Sequence, residues 1–488
     1  MDCSDSTESG AHTVLLVDDH GILYRPGTRR VPHSLTRYPD NPVIKSREKP
    51  WEVEIGWNSV YHNPLTGKYQ LWYQAYSGSL ARNKRKRCVV CYAESKDGIR
   101  WVKPSLGLYS YNGIRETNIV LTGNGGHSVN YDCSVVFDPR DPEAGRRYKM
   151  AYFDWSHDGG QELPGLSVAF SPDGIHWKKN PNAPLLRASY GTQGDPLPYR
   201  DQHGPWTVPL TMSDAIDAIY DPPRGQFAIY GKMWTDGPDG RMYWKHGMGH
   251  TESKDFIHWS RPQLLLTPDE FDPPWVEFHH SPVFYYNDCY FALLQILHRA
   301  VGGGVINVEL AISRNGLEWK RPFREHFFLA RSGGLKFDSG SLFINPMPVL
   351  LEDDFHFYYA GYSQGATSGN DYGMLSGIGL ATMRRDRFAG LRPIERIGQI
   401  TLKPLSFANL RSITINADAS VGSVLPEILD AEGYRIHELA EKDAIPVTGD
   451  SLRHPLRWRR RNISEMAPGN YILRLHLKNA EVFAVNLS

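Results

Sequence analysis

"SPDGIHW" (residues 171–177) has three close copies: "ESKDGIRW" at 94–101, "ESKDFIHW" at 252–259 and "SRNGLEW" at 313–319. A Ser followed by Asp-Gly or Asn-Gly favours a tight turn. Asp and Asn side chains bond to their own backbone there, and Gly accepts a positive φ. The Trp that follows is suited to pinning the turn against a neighbouring sheet. These Trp residues stand at 101, 177, 259 and 319, spaced by 76, 82 and 60 residues. A fifth, eroded copy is "ATMRRDRF" (381–388), with Phe388 in the place of Trp, 69 residues beyond Trp319.

A second pattern alternates with the first. "NSVYHNPLTGKYQLWYQAY" (58–76), "CSVVFDPRDPEAGRRYKMAYF" (133–153), "DAIYDPPRGQFAIYGKM" (217–233), "SPVFYYNDCYFALLQIL" (281–297) and "NPMPVLLEDDFHFYYAGY" (345–362) each read as two apolar strands around a turn. Five hairpins alternating with turn-Trp phrases predict five similar sheets of about four strands, and radial repetition of such sheets is a β-propeller. The expected fold is therefore all-β: a five-bladed β-propeller over 13–397 followed by a small C-terminal β-sandwich over 398–488, with a disordered N-terminal tail at 1–12. The strand-like "TVLLVDDHGILY" (13–24) is expected to close the ring against the last blade. Beyond 397 the turn phrase stops, and period-two segments such as "GNYILRLHLKNAEVFAVNL" take over.

Composition narrows the function. The 54 basic and 54 acidic residues cancel, which argues against a nucleic-acid or anionic-membrane partner. The basic runs "RNKRKR" (82–87) and "RWRRR" (457–461) read as solvated loops. Aromatic residues reach 12%, which suits a carbohydrate substrate because aromatic faces stack on the apolar faces of sugar rings. Cys88 and Cys91 form a C-x-x-C within a strand-like segment, with no second pair to complete a zinc site. With neither a secretory signal nor an apolar run of membrane-spanning length, the chain is expected in the cytoplasm. Its oligomeric state is left open.

In a propeller the heads of the innermost strands converge on one funnel. Each hairpin here carries an acid at that place: Glu54, Asp132, Asp214 with Asp217, Glu277 and Asp338. Glycosidic cleavage needs one protonated and one ionised carboxyl group, and crowding carboxylates raises the pKa of one of them. Glu277, in "WVEFHH", is the expected general acid, with Asp132 and Asp214 as base or nucleophile and orienting group. Glu54, His127, Asp217, His279, His280 and Asp338 are the expected substrate-binding residues. No cofactor and no catalytic metal are expected, and the channel axis has room for a structural cation.

These hairpins, the "S-x-D-G-x-x-W" phrases and "RYPDNPVI" (37–44) together resemble the five-bladed propeller glycoside hydrolases, which include the arabinanase/β-xylosidase and invertase/levanase families. The chain is similar to bacterial members that share "LLVDDH", "ESKDGIRWVKPSLGL" and "RETNIVL". The resemblance covers about 13–395 and implies a glycosidase acting on a fructan, arabinan or related oligosaccharide through Asp, Asp and Glu on successive blades. Asp132, Asp214 and Glu277 keep that order one blade later. The first hairpin carries Glu54 in place of Asp, and "NDPNG" is absent. Two other readings fit the same pattern: a propeller glycoside phosphorylase, with Arg299 helping to hold phosphate, and a sugar-binding propeller without catalysis. A sialidase, whose turns look alike, would need an arginine cluster and a nucleophilic Tyr that cannot be placed here.

Overall fold

The computed structural model describes residues 12–64, 66–76, 88–123, 131–158, 161–187, 212–235, 245–368, 373–408 and 410–488; the side chains of 131–132, 155–158, 161–163 and 213 are not described. The described chain is almost wholly β, and its strands divide between two compact units.

The first unit, residues 36–349 with 356–382, is the five-bladed propeller. From the inside outward, blade one runs Glu54–His62, Tyr69–Tyr76, Cys88–Ser95 and Ile119–Thr122. Blade two runs Tyr131–Phe137, Tyr148–Asp158, Gln161–Ser171 and Lys178–Lys179, and blade three Met212–Asp221, Gln226–Thr235, Lys245–Ser253 and Gln263–Leu266. Blade four runs Val276–His280, Cys289–His298, Val305–Ser313 and Phe327–Leu329. Blade five runs Ser341–Ile344, Asp354–Tyr362 and Ser376–Arg384, and its outer edge is filled from the N-terminal side by Thr36–Arg37 and Ile44–Lys45. The five expected hairpins are all present: in blades one to three they are the inner strand pairs, and in blades four and five they are Val283–Tyr286 with Cys289–His298 and Val349–Leu350 with Asp354–Tyr362.

The four turn phrases share one hydrogen-bond pattern. In 171–177 the Ser171 Oγ accepts from the Gly174 amide at 2.9 Å, and Asp173 Oδ1 accepts from the Ile175 and His176 amides at 2.8 and 2.9 Å. Ser95/Asp97, Ser253/Asp255 and Ser313/Asn315 repeat it within about 0.2 Å. The next residue lies at positive φ: Gly98, Gly174 and Gly316 at 73–79°, and Phe256 at 65°. Glycine takes that conformation freely. Phe256 adopts it while fully buried among Phe170, Phe227 and Trp259.

These turns also join blades. Trp72 of blade one donates to the Gly174 carbonyl of blade two at 2.6 Å, and Tyr230 of blade three to Gly316 of blade four at 3.0 Å. Tyr358 of blade five donates to Gly98 of blade one at 2.9 Å, so the same contact closes the ring. The turn Trp residues pack edge-on to those donors, Trp177 on Trp72, Trp319 on Tyr230 and Trp101 on Tyr358. Nearer the axis, Ser59 accepts from the Val135 amide and Ser134 from the Ala218 amide, stitching the inner strands of blades one to three.

The second unit comprises, among the described residues, 12–35, 350–355 and those from 383 to 488. Its strands form one hydrogen-bonded array of ten. The 17-residue strand Ile413–Leu429 pairs with Glu481–Leu487 in its first half and with Asn470–Lys478 in its second, around a core that includes Ile413, Ile415, Leu473, Leu475 and Val485. Two expectations about this end are corrected. The segment 13–24 does not close the propeller: His12–Leu15 pairs with Glu481–Leu487, and Ile22–Tyr24 with Ile397–Leu402, because their apolar faces join the second core. The boundary falls within the strand Ser376–Arg384, at 382/383, ahead of the expected 397. Phe388, the eroded turn anchor, is buried in the second unit. The tail expected at 1–12 lies outside the described residues except for His12, which begins a strand.

Cys88 and Cys91 are buried and form no disulfide among the described residues. The run at 457–461 has Arg457, Arg459 and Arg460 exposed around a buried Trp458, as expected of a solvated segment, whereas 82–87 lies outside the described residues. Among the described residues no helix is long and apolar enough to cross a membrane.

Candidate active site

The inner strands place the predicted acids at one end of the propeller. Glu54 begins its strand, Asp132 is second in Tyr131–Phe137, Asp214 third in Met212–Asp221, and Glu277 second in Val276–His280. Asp338 sits three residues ahead of Ser341–Ile344. The side chain of Asp132 and the whole of His127 lie outside the described residues.

Glu277 is the centre of the cluster. It is 3% exposed, and Arg299, just past the end of the neighbouring strand, holds it in a fork, with Nε on Oε1 and Nη2 on Oε2 at 3.1 Å. The His246 amide donates to Oε2 at 3.2 Å, and the His246 Nδ1 lies 2.5 Å from the same oxygen. Burial alone would raise this carboxyl. The His246 ring and the Arg299 guanidinium outweigh burial and bring the pKa down to about 2. The direction is opposite to that expected for a general acid, because crowding by other carboxylates was expected and a bidentate arginine is what surrounds it. His246 itself is depressed to about 4 by burial against the partial relief of Glu277, so it is neutral at pH 7 and Arg299 supplies the positive charge.

Asp214 is paired with Lys232, and Lys232 is nearly buried within the otherwise apolar strand Gln226–Thr235. Burial works to raise Asp214, but the ammonium wins and holds it below the usual carboxylate range. Asp217 behaves differently. Buried on the same strand, its carboxyl is pushed well above that range by desolvation, opposed only by the Ser134 hydroxyl, and His280 Nε2 lies 3.0 Å from its Oδ2.

Rings from four blades wall the cluster. Trp57 of blade one meets Phe343 of blade five at 5.0 Å, Phe343 meets His279 of blade four at 5.2 Å, and His279 meets His246 of blade three at 6.2 Å. Trp234 lies 3.7 Å from His246. Burial beside Lys232 and His246 keeps His279 neutral. Glu54 joins this wall indirectly: its charge raises the Tyr362 hydroxyl after burial, and Tyr362 packs on Phe343 at 5.4 Å. His279 and His280 thus serve separate neighbours, one the aromatic wall and the other Asp217.

The approach to Glu277, "DEFDPPW" (269–275), is fastened by arginines. Arg321 reaches Asp272 at 2.6 Å and Glu309 at 2.8 Å, and its guanidinium lies over Phe278. Arg324 holds Asp269. Asp338 belongs elsewhere: its Oδ2 accepts from Arg37 at 2.8 Å and Tyr359 at 3.0 Å, and it lines a pocket that none of the Glu277 cluster lines.

The structure therefore brings Asp214, Glu277 and His279 together, with Glu54 behind their wall and Asp217–His280 as a second buried pair. Lys232, His246, Trp57 and Trp234 were missed by sequence reading. A lone Lys inside "QFAIYGKMWT" was the available signal, since an isolated charge in a buried strand needs a partner. Among the described residues no group of three or more His, Cys, Asp or Glu is placed to hold a metal.

No family model matches the chain, and no curated protein matches it. Among solved structures it is similar to an N-acetylgalactosamine deacetylase from F. plautii in complex with blood group B trisaccharide (17% identity, 73% of this chain and 97% of that one, TM-score 0.49). It is also similar to a structure described under the GH130 family of mannoside phosphorylases, which contains glycoside hydrolases that target β-1,2 mannosidic linkages in Candida mannan (16%, 73% and 95%, 0.47). A third is a glycosyl hydrolase from Bacteroides ovatus (15%, 72% and 94%, 0.46).

Proposed function

We propose that this chain cleaves glycosidic bonds, using carboxyl groups at the heads of the inner strands. The observation that carries the reading is two buried carboxylates, Glu277 and Asp214, each fixed by its own cation and both acting on His246, which belongs to a chain of rings from four blades. Such rings stack on sugar faces, and fixed carboxylates serve as base, nucleophile or hydroxyl acceptor. Because Glu277 is held ionised, it takes the role of base or nucleophile, and the proton donor is Asp132 at the equivalent head of blade two. Asp214 with Lys232 orients the substrate. The chemistry is carried by the chain's own carboxyl groups, with a fructan, arabinan or related oligosaccharide as substrate.

The test uses neutral oligosaccharide panels (inulin, arabinan and β-mannan fragments) with reducing-end release as readout. Glu277→Gln should abolish release while preserving binding, and azide should restore turnover of Glu277→Ala if the residue is the nucleophile. Asp132→Asn should retain activity on aryl glycosides with acidic leaving groups, which need no proton donor. A sugar-binding propeller without catalysis would show no release in any variant.

A second reading, phosphorolysis, is favoured by one observation: the Arg299 side chain is 41% exposed while it grips Glu277. A phosphate that engaged Arg299 would sit beside the reacting carboxylate. Faster cleavage on adding phosphate, with a sugar 1-phosphate product, would select this reading over hydrolysis.

A further inference from the structure

The geometry points to a second ligand site on the propeller, built for a sugar that carries an anionic group. It is a pocket of about 580 Å³ on blade five. Its walls are the N-terminal segment 37–47 that closes blade five, the loop 332–338 ahead of blade five's inner strand, and Leu375–Ser376 at the start of Ser376–Arg384. The Ile55 amide of blade one donates to the Ser376 Oγ, which fixes this edge of the pocket to the neighbouring blade. These strand ends lie on the same face of the propeller as Glu277, since Asp338 precedes an inner strand just as Glu277 begins one. The volume is that of a site for one or two sugar rings.

Three features give the ligand its chemistry. The first is charge. In a chain of net charge zero, this pocket is lined by Arg37, Lys45, Arg47 and Lys336 against a single acid, Asp338. Arg37 is committed to Asp338, but Lys45, Arg47 and Lys336 form no ion pair among the described residues. Three cations without an ion pair among the described residues, set around one concavity, attract an anion. The second is an acceptor in need of a donor. Asp338 is 1% exposed; its Oδ2 is doubly bonded, and its Oδ1 is buried without a hydrogen-bond partner among the described residues. A buried acceptor left so is costly, and a ligand hydroxyl would satisfy it. The third is an apolar surface: Phe337, stacked on Tyr359 with ring planes 20° apart, and the half-exposed Leu375. Hydroxyl, negative charge and an apolar face occur together in uronates and in sugar sulfates and phosphates.

The assignment rests on the carbohydrate reading above and narrows it to acidic glycans, but its test reads binding and not cleavage. Calorimetric titration of the full chain with glucuronate, glucose 6-sulfate, glucose 6-phosphate, glucose, and inorganic sulfate and phosphate separates the ligand classes. At least one acidic sugar should bind tenfold or more tightly than glucose and than the matching inorganic ion. Exchanging Lys45 and Lys336, both exposed, for Glu should weaken it at least tenfold without moving the unfolding temperature, while Glu277→Gln changes it less than twofold. Equal binding of glucose, equal binding of the inorganic ion, or indifference to the charge reversal each overturns the site. Loss of binding in Glu277→Gln would place the ligand in the central cluster and overturn it as well. If acidic sugars bind here and no glycan is cleaved, the glycosidase reading fails and this site stands.

Discussion

Replacing Glu277 by Gln tests stability and chemistry together. The carboxylate is nearly buried and receives the Arg299 fork, the His246 amide and the His246 ring. Its fall from the ordinary 4.5 to about 2 corresponds, at about 1.4 kcal/mol per pH unit, to about 3 kcal/mol of stability. Because Arg299 is partly exposed, solvent screening trims this to about 2–3 kcal/mol. The sign follows from the depressed pKa: the contribution is complete above about 4.5 and disappears as pH falls through about 2. Gln keeps the size but offers Arg299 no charge. Urea unfolding should therefore show the variant less stable by about 2–3 kcal/mol at pH 7, with the gap narrowing steadily below pH 4. Turnover measured on the same samples should fall by about 10²–10⁴, the span usual for loss of a catalytic base or acid. A stability gap independent of pH would refute the electrostatic account of Glu277. Turnover within twofold of the parent would refute its catalytic role, whatever the stability.

Other expectations follow from the same structure. Lys232→Met should leave Asp214 buried without its cation, raising that carboxyl and costing about 3–5 kcal/mol, measurable by chemical denaturation; a double variant with Asp214→Asn should recover much of the loss. Asp173→Ala removes the acceptor of two backbone amides and should destabilise by about 1–3 kcal/mol, read by thermal unfolding, with little effect on turnover because the turn is scaffold. Phe256→Gly would relieve a positive φ but empty a fully buried ring site; the cavity should dominate, for a net loss of about 2–4 kcal/mol, and a stabilised variant would show that the strain had been underestimated.

The repeated turn phrase carried the architecture because its cause is local. A Ser, an Asp or Asn and a residue at positive φ make the same bonds wherever they occur, so "SPDGIHW" and its three copies could be followed along the chain, and the five hairpins that alternate with them gave the five blades. The strand-head acids followed from that count, since an inner strand must begin near the axis. The all-β nature of the C-terminal segment was equally legible in its period-two alternation.

What tertiary structure alone decided is which distant groups meet. That 13–24 pairs with 397–402 and 481–487 while 36–45 completes blade five depends on contacts more than 300 residues apart, and each segment reads simply as a short strand. The charge state of Glu277 was likewise beyond reach, because it is set by Arg299 and His246 delivered from two neighbouring strands, and no spacing within "WVEFHH" encodes them. Residue types and local turns lie along the chain; the electrostatics of a site depend on distances through space, and only the fold sets those.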